Sequence, residues 1–314
     1  MKDLRVFSGR SNPRLAERVA DYLGIPLGRA QLSNFPDGEI ALKLVEDVRG
    51  RDAFVLQSTC APGADHLMEL LIFIDCLRRA SARKITAVLP YFGYARQDRK
   101  DEGRVPITAK LVANLLVTSG ADRVVTLDLH AAQIQGFFDI PVDHMSARPV
   151  ISAFFERLKD EPLTVVSPDV GNAKQARMYA ERLGADLAII DKRRVSGSES
   201  VSYTIIGDVA GRTVIMVDDM IATAGTITQA ANIVRDHGAR RIVIAATHAV
   251  LCGPAVERLA SAPIDEIAVC DTIPLSAAAR EQLSGVSVLT VSELLGEAIR
   301  RIYRNESVSN LFMK

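Results

Sequence analysis

The sequence has no tryptophan, no excess of either charge, no paired-cysteine motif and no long apolar run. Each absence narrows the field. With 38 basic and 38 acidic residues, no net positive field drives association with nucleic acid or an anionic membrane. Cys60, Cys76, Cys252 and Cys270 are widely spaced, without Cys-x-x-Cys. That excludes a zinc ribbon and fits reduced thiols in the cytosol. Met1-Lys2-Asp3-Leu4-Arg5 lacks the apolar segment of an export signal. The most apolar helix candidate, Leu67 to Leu77, is interrupted by Glu69 and Asp75, so no stretch is expected to span a bilayer. The expectation is a cytoplasmic protein without nucleic-acid or membrane partners. At 314 residues it can bury a large core and divide into two domains.

What is present is an alternation of strands and helices. Leu4–Phe7 reads as a strand, and Asn12-Pro13 as a helix start, with Asn as N-cap and Pro in the first turn. Leu15, Val19 and Leu23 give that helix an apolar stripe, and Gly24 stops it. Strands are expected around 40–45, 53–56, 85–89 and 124–127, with helices over 67–77 and 108–117. Such alternation implies an α/β fold with a largely parallel sheet flanked by helices. Ala113 to His130 matches Ala231 to His248 without a gap, with seven of 18 positions identical. A repeat at that spacing implies two related domains from a duplication, divided as 1–146 and 147–314. Near the C-terminus, Thr290-Val291-Ser292-Glu293 has the form of a capping box. The tail 303–314 ends in Leu311-Phe312, which could dock on another domain.

The most informative stretch runs from Arg212 to Thr226. Val214 to Val217 is a buried parallel strand by composition. Asp218 and Asp219 follow, then the small-residue loop Ala222-Thr223-Ala224-Gly225-Thr226, then a helix. Backbone N–H groups of such a loop converge on an anion at the helix N-terminus, and the threonines add hydroxyl donors. Two carboxylates repel phosphate but accept hydrogen bonds from vicinal hydroxyls. The combination is a site for a sugar phosphate. The alternative is an ordinary turn in which the aspartates cap the helix.

Three other segments carry chemistry. Pro90 to Lys100 sets aromatics and then dense cations at a strand's C-terminal end, where open α/β sheets bind ligands. Composition alone does not separate a nucleotide site from a solvated loop there. Asp128-Leu129-His130 ends a strand, where a lone His is more often structural than a ligand. Val165 to Asn172 is a strand running into an acidic loop, able to hold Mg²⁺ through Asp169 with waters and phosphate. Asp191-Lys192-Arg193-Arg194, before the small-residue run 195–200, reads either as a closing lid bringing charge to phosphates or as a solvated basic turn.

Together these segments resemble the ribose-phosphate pyrophosphokinases, whose phosphate loop is of the type I phosphoribosyltransferase-like kind. The resemblance is carried by 94–100, 128–130, 135–139, 191–194 and 218–226, and extends over essentially the whole chain. It implies two phosphoribosyltransferase-like domains, an ATP side over 1–146 and a ribose 5-phosphate side over 147–314. The implied reaction moves the diphosphoryl group of ATP to the 1-hydroxyl of ribose 5-phosphate. Phe35, Asp37, Gly38, Glu39, Arg96, Gln97 and Arg99 would hold ATP. Asp218, Asp219, Ala222, Thr223, Ala224, Gly225 and Thr226, with Arg194, would hold ribose 5-phosphate. Lys192 and Arg194 would be catalytic.

His130 and Asp169 are the family's metal positions; Mg²⁺ prefers oxygen, which favours Asp169 as a direct ligand. The resemblance also implies Mg²⁺ as cofactor, phosphate as activator, a homohexamer built from dimers, and an allosteric site involving Arg49, Arg104, Ser307 and Ser309. Three departures stand out. Ala222 replaces a usual acid of the loop, Asn172 a usual Gly, and Asp47 a usual small polar residue. Two other functions share features with this sequence. A phosphoribosyltransferase would share the loop but not the ATP-side segments. A non-catalytic synthetase-associated subunit would share the fold without needing the cations.

Overall fold

A computed structural model of the chain describes residues 2–194, 201–283 and 285–311, with side chains excepted at 192–194, 201 and 202. It divides into two compact units. The first comprises Met1–Ala147, Thr272–Pro274 and Thr290–Lys314, the second Arg148–Asp271 and Leu275–Leu289. They are not two uninterrupted halves. The chain returns to the first unit at Thr272 and again from Thr290, so the expected second segment, 147–314, is divided between them.

The first unit runs β1 (Leu4–Ser8), α1 (Pro13–Leu23), β2 (Ala30–Asn34), β3 (Ile40–Leu44), β4 (Asp52–Leu56), α2 (Gly63–Arg79), β5 (Lys84–Leu89), α3 (Thr108–Ser119), β6 (Arg123–Leu127) and β7 (Val142–Met145). Its sheet has the order β1-β4-β5-β6-β7, all pairs parallel, while β2 and β3 form a separate antiparallel hairpin. Every residue of β4 is buried, as expected for a strand covered on both faces. The start of α1 is as read from the sequence: the Asn12 side chain accepts the Leu15 N–H at 3.3 Å with Pro13 behind it.

The second unit runs α4 (Arg148–Phe155), β8 (Leu163–Ser167), α5 (Ala173–Leu183), β9 (Asp186–Arg194), β10 (Val201–Ile206), β11 (Thr213–Ile221), α6 (Gly225–Asp236), β12 (Arg241–Ala249), α7 (Ala255–Ser261), β13 (Glu266–Cys270), α8 (Ala277–Gln282) and β14 (Val286–Leu289). The sheet order is β10-β9-β8-β11-β12-β13-β14, parallel except for the edge strand β10. The chain ends with α9 (Ser292–Tyr303), which packs on α1 in the first unit.

The two units share one topology. The row β1-β4-β5-β6-β7 corresponds to β8-β11-β12-β13-β14, with a hairpin inserted after the first helix in each. Matching backbone details fix the correspondence. Asp122 accepts the N–H of Ile85 at 2.7 Å, and Asp265 that of Ile242 at 2.7 Å. The N–H of Asp128 reaches Met145 O, and that of Asp271 reaches Leu289 O. This corrects the register read from sequence, which laid β6 on β12. Those strands hold different places in their rows, and the 18-position match relates successive helix–strand elements of similar composition.

One further expectation is corrected. Thr290 does not head a capping box: α9 begins at Ser292 after Val291, and the Thr290 hydroxyl accepts the N–H of Ser292, two residues on. The cations 192–194 form the end of a strand, as expected: they close β9, whose backbone pairs antiparallel with β10 as far as Arg194 and Val201. Residues 195–200, read as a flexible lid loop, lie outside the described residues, as do residues 312–314 of the tail.

Candidate active site

The sugar-phosphate stretch keeps its predicted form. Asp218 and Asp219 lie inside β11, and α6 starts after Ala224 without a side-chain cap. The alternative in which the aspartates cap this helix is therefore excluded. Its first N–H groups stay available to an anion. Ala224 holds the left-handed conformation (φ 60°), which costs an alanine roughly 1–2 kcal/mol. That conformation turns the chain between the loop and the helix. Thr223 and Thr226 are exposed beside it. The loop is tied from outside: Arg258 of α7 donates to Thr223 O at 3.1 Å, and the Cys252 N–H to Ala222 O at 3.0 Å. Arg258 is not legible in the sequence as part of this loop because its contact spans 35 residues of chain.

Asp218 accepts the Asp219 N–H at 2.9 Å. Its carboxyl is pushed up to about 8, by burial first, then by the charges of Asp219 and Asp169. The site is thus electrostatically poised for a cation or for hydroxyl donors. Asp169, exposed in the loop after β8, accepts the Asn172 N–H at 2.9 Å. Asn172 in turn donates from its side chain to Val217 O at 2.8 Å, tying the acidic loop to the strand beside Asp218. A glycine there could not make that tie.

In the first unit, a cavity of about 520 Å³ is lined by Arg96, Gln97, Asp98, Arg99, Asp101, His130 and Gln133, among others. The loop after β5 is built into the protein. Gly93 sits so close to Thr59 that a Cβ would meet its carbonyl at 2.4 Å, and its N–H donates to the Thr59 hydroxyl at 2.7 Å. Gln133 bonds Asp98 at 2.6 Å, joining the loop after β5 to the one after β6. Asp128 is structural: its carboxylate takes the Ala147 N–H at 2.9 Å. His130 is exposed and faces the cavity, whereas His144, missed in the sequence, accepts the Leu129 N–H at 2.9 Å and shapes the loop. The sequence reading gave Arg96, Gln97, Arg99 and His130 but not the acids Asp98 and Asp101 among them.

Phe35, Asp37, Gly38 and Glu39 lie elsewhere, at the tip of the β2–β3 hairpin, where Gly38 and Glu39 line one cavity and Phe35 another. Phe35 is 54% exposed, and Asp37 accepts the Glu39 N–H at 3.1 Å. The cavities beside the hairpin tip and the cavity beside Arg96 and Arg99 are lined by different residues. Ser307 and Ser309 flank a small cavity with Arg123 and Asp143, which neither Arg49 nor Arg104 lines. The Asp47 carboxylate accepts the Arg49 N–H. Among the described residues, no group of three or more His, Cys, Asp or Glu has metal-binding geometry. Asp169 nonetheless offers what Mg²⁺ takes from protein, a single carboxylate with space for water and phosphate. No helix among the described residues is long and apolar enough to cross a membrane.

Family comparisons agree with this geometry. Residues 4–120 match the N-terminal domain of ribose phosphate pyrophosphokinase, and residues 193–313 the phosphoribosyl synthetase-associated domain. The chain is 57% identical over 315 residues to a ribose-phosphate pyrophosphokinase of Rhodopirellula baltica, covering 99% of each. It is 52% identical to one of Campylobacter jejuni, covering 100% of each. A phosphoribosylpyrophosphate synthetase structure from Mycobacterium smegmatis superposes with a TM-score of 0.90 at 47% identity, over 96% of this chain and 99% of that one. By sequence and fold along its whole length, the chain belongs to the ribose-phosphate pyrophosphokinase family.

Proposed function

We propose how this chain carries out its family's reaction, the transfer of the diphosphoryl group of ATP to the 1-hydroxyl of ribose 5-phosphate. The products are 5-phospho-α-D-ribose 1-diphosphate and AMP. The observation that carries the reading is the pair Asp218–Asp219 on β11, directly before an uncapped helix start. In our reading the backbone of Ala222 to Thr226 holds the 5-phosphate, and Asp218 and Asp219 accept the ribose hydroxyls. Ala222 is tolerated because backbone donors do that work. Arg96, Gln97 and Arg99 hold the nucleotide's phosphates, with His130 beside them. Phe35, exposed at the hairpin tip, stacks on the base, while Asp37, Gly38 and Glu39 contact base and ribose.

Lys192 and Arg194 stabilise charge on the transferring phosphates, and Arg194 also meets ribose 5-phosphate. Phosphoryl transfer rests on such positioning and charge stabilisation. The family uses a divalent metal; we assign it as Mg²⁺, held by Asp169 and associated with His130, where it would neutralise phosphate charge. Phosphate as activator and an allosteric site at Arg49, Arg104, Ser307 and Ser309 complete the proposal. The separation of the hairpin tip from the Arg96–Arg99 cavity supports a homo-oligomer, a homohexamer built from dimers, in which one copy's tip completes its neighbour's pocket. We place the enzyme in the cytoplasm.

The test is to incubate purified protein with ATP, Mg²⁺, phosphate and ribose 5-phosphate and follow AMP. AMP and phosphoribosyl diphosphate, formed only with the sugar phosphate, are the expected result. ADP as product would indicate an ordinary kinase. No turnover would favour a regulatory subunit, with Ala222 the first residue to restore to Asp.

A further inference from the structure

Glu69 of α2 is 1% exposed. A carboxylate buried this fully requires donors, and it has three. The Arg10 backbone N–H donates at 2.7 Å, the Arg10 Nε makes a short ion pair, and Gln57 Nε2 donates at 2.8 Å. Gln57 is itself wholly buried and accepts both the N–H and the hydroxyl of Ser11, at 3.1 and 2.7 Å. The loop after β1 is thereby clamped against α2, and the Arg10 guanidinium is aimed outward from a fixed base. Its Nη1 donates to Asn34 Oδ1 at 2.5 Å. Asn34 then passes the constraint on, its Nδ2 donating to Gly38 O at 2.7 Å.

This chain of bonds ends in the turn that carries Phe35, Asp37 and Glu39. The hairpin β2–β3 pairs with neither large sheet. Leu32, Leu42 and Leu44 anchor its body on the core, but the tip projects into solvent with Phe35 exposed. An exposed turn left to itself samples many shapes, and ordering it on binding costs affinity. We infer that Glu69, Arg10 and Asn34 form a latch that holds the 35–39 turn in its binding shape, which makes them positioning residues for ATP. The inference rests on the reading of 35–39 as ATP contacts. It adds that affinity for ATP is set in part by a buried carboxylate of α2. Because the latch acts through the turn alone, it should alter ATP capture and leave the sugar-phosphate side untouched.

Steady-state kinetics of Asn34→Ala, Glu69→Gln, the double variant and Phe35→Ala, varying ATP and ribose 5-phosphate separately, test it. For Asn34→Ala the KM for ATP should rise roughly tenfold, the scale of one charge-assisted hydrogen bond. Its kcat, and its KM for ribose 5-phosphate, should stay within about twofold of the parent. Glu69→Gln should shift the same constant. The double variant should be no worse than the poorer single one, since either change breaks the same chain. If Phe35→Ala raises the KM for ATP and Asn34→Ala does not, the latch is wrong. Full additivity of the two latch changes would overturn it equally. If Phe35→Ala leaves that KM unchanged, the reading of the turn as an ATP contact fails first, and the latch with it. Should Glu69→Gln not fold, the exposed Asn34 carries the test through the split between the two KM values.

Discussion

In the first unit, the loop leaving β1 carries Arg10, and the neighbouring buried acid, Glu69, is neutralised by it. In the second unit, the loop leaving β8 holds the same place in the topology and carries Asp169. There the acids accumulate: Asp169 and Asp219 both raise the Asp218 carboxyl. The hairpins differ in the same spirit. One stands apart and presents Phe35 and acids, whereas the other is zipped into its sheet with Lys192 and Arg194 in β9. A duplicated scaffold keeps its strand order and its turn bonds. What diverges is the charge its loops bring to the ends of the strands. One corner pairs its acid with a cation, and the other gathers acids.

The contrast is broken most directly through the hairpins. Lys192→Ala should lower kcat by about 10³-fold, the scale of a cationic clamp on a transferring phosphoryl group, with Phe35→Ala acting on the KM for ATP instead. Rapid-quench measurement of AMP formation checks it. Equal effects of both variants on kcat would erase the division of labour.

Next in size, Asp218→Asn should raise the KM for ribose 5-phosphate roughly 10- to 100-fold, the range for hydrogen bonds to a charged group. The same change should stabilise the free protein. Because the folded carboxyl is raised from 3.8 to about 8, its stabilising contribution is complete below pH 3.8 and is lost as pH climbs towards 8. Unfolding temperatures measured from about pH 5 to about pH 8.5 should therefore fall more steeply for the parent than for Asp218→Asn. A parallel pair of curves would mean that the Asp218 carboxyl is not raised in the folded protein.

Gly296→Ala probes the first unit's cover. A Cβ there would meet the Tyr22 ring at 2.4 Å. Alanine gains roughly 1 kcal/mol in helix propensity, but overpacking costs about 1–3 kcal/mol, so urea denaturation should show a net loss. The smallest effect is expected from Asn172→Gly, which deletes the tie to Val217 and should cost about 1 kcal/mol in the same assay.

Local features were legible from the sequence. The cap at Asn12, the strand and loop at 214–226, and the cations 96–99 at a strand's end all depend on neighbours within a few residues. Features set by distant partners were not. The acid that fixes Arg10 is 59 residues away, and nothing around Glu69 in α2 marks it as buried. Local composition also misled: Thr290 and Glu293 have capping-box spacing, yet Thr290 bonds two residues on. The basic run 191–194 is legible as a strand end, but its antiparallel pairing with 201–204 depends on a strand not yet reached in the sequence. The repeat was detectable while its register was not, because helix–Gly–strand elements resemble one another within a unit as well as between units.

The closing helix of each row carries a consequence for how the chain is made. Helix α9 follows β14 yet packs on α1, while α4 follows β7 and packs on α5. Each unit is thus capped by the helix that follows the other's last strand. Tyr22 and Glu297 meet across 275 residues of chain. Closing contacts of such long range slow folding. During synthesis, the flank of α1 that α9 covers stays open until almost the entire polypeptide has emerged, although α1 can pack on β1 and the strands of its own unit are complete far earlier. The nascent chain therefore carries a nearly finished first unit with an open flank through most of translation, and stalled or truncated products should be the ones that chaperones and proteases meet.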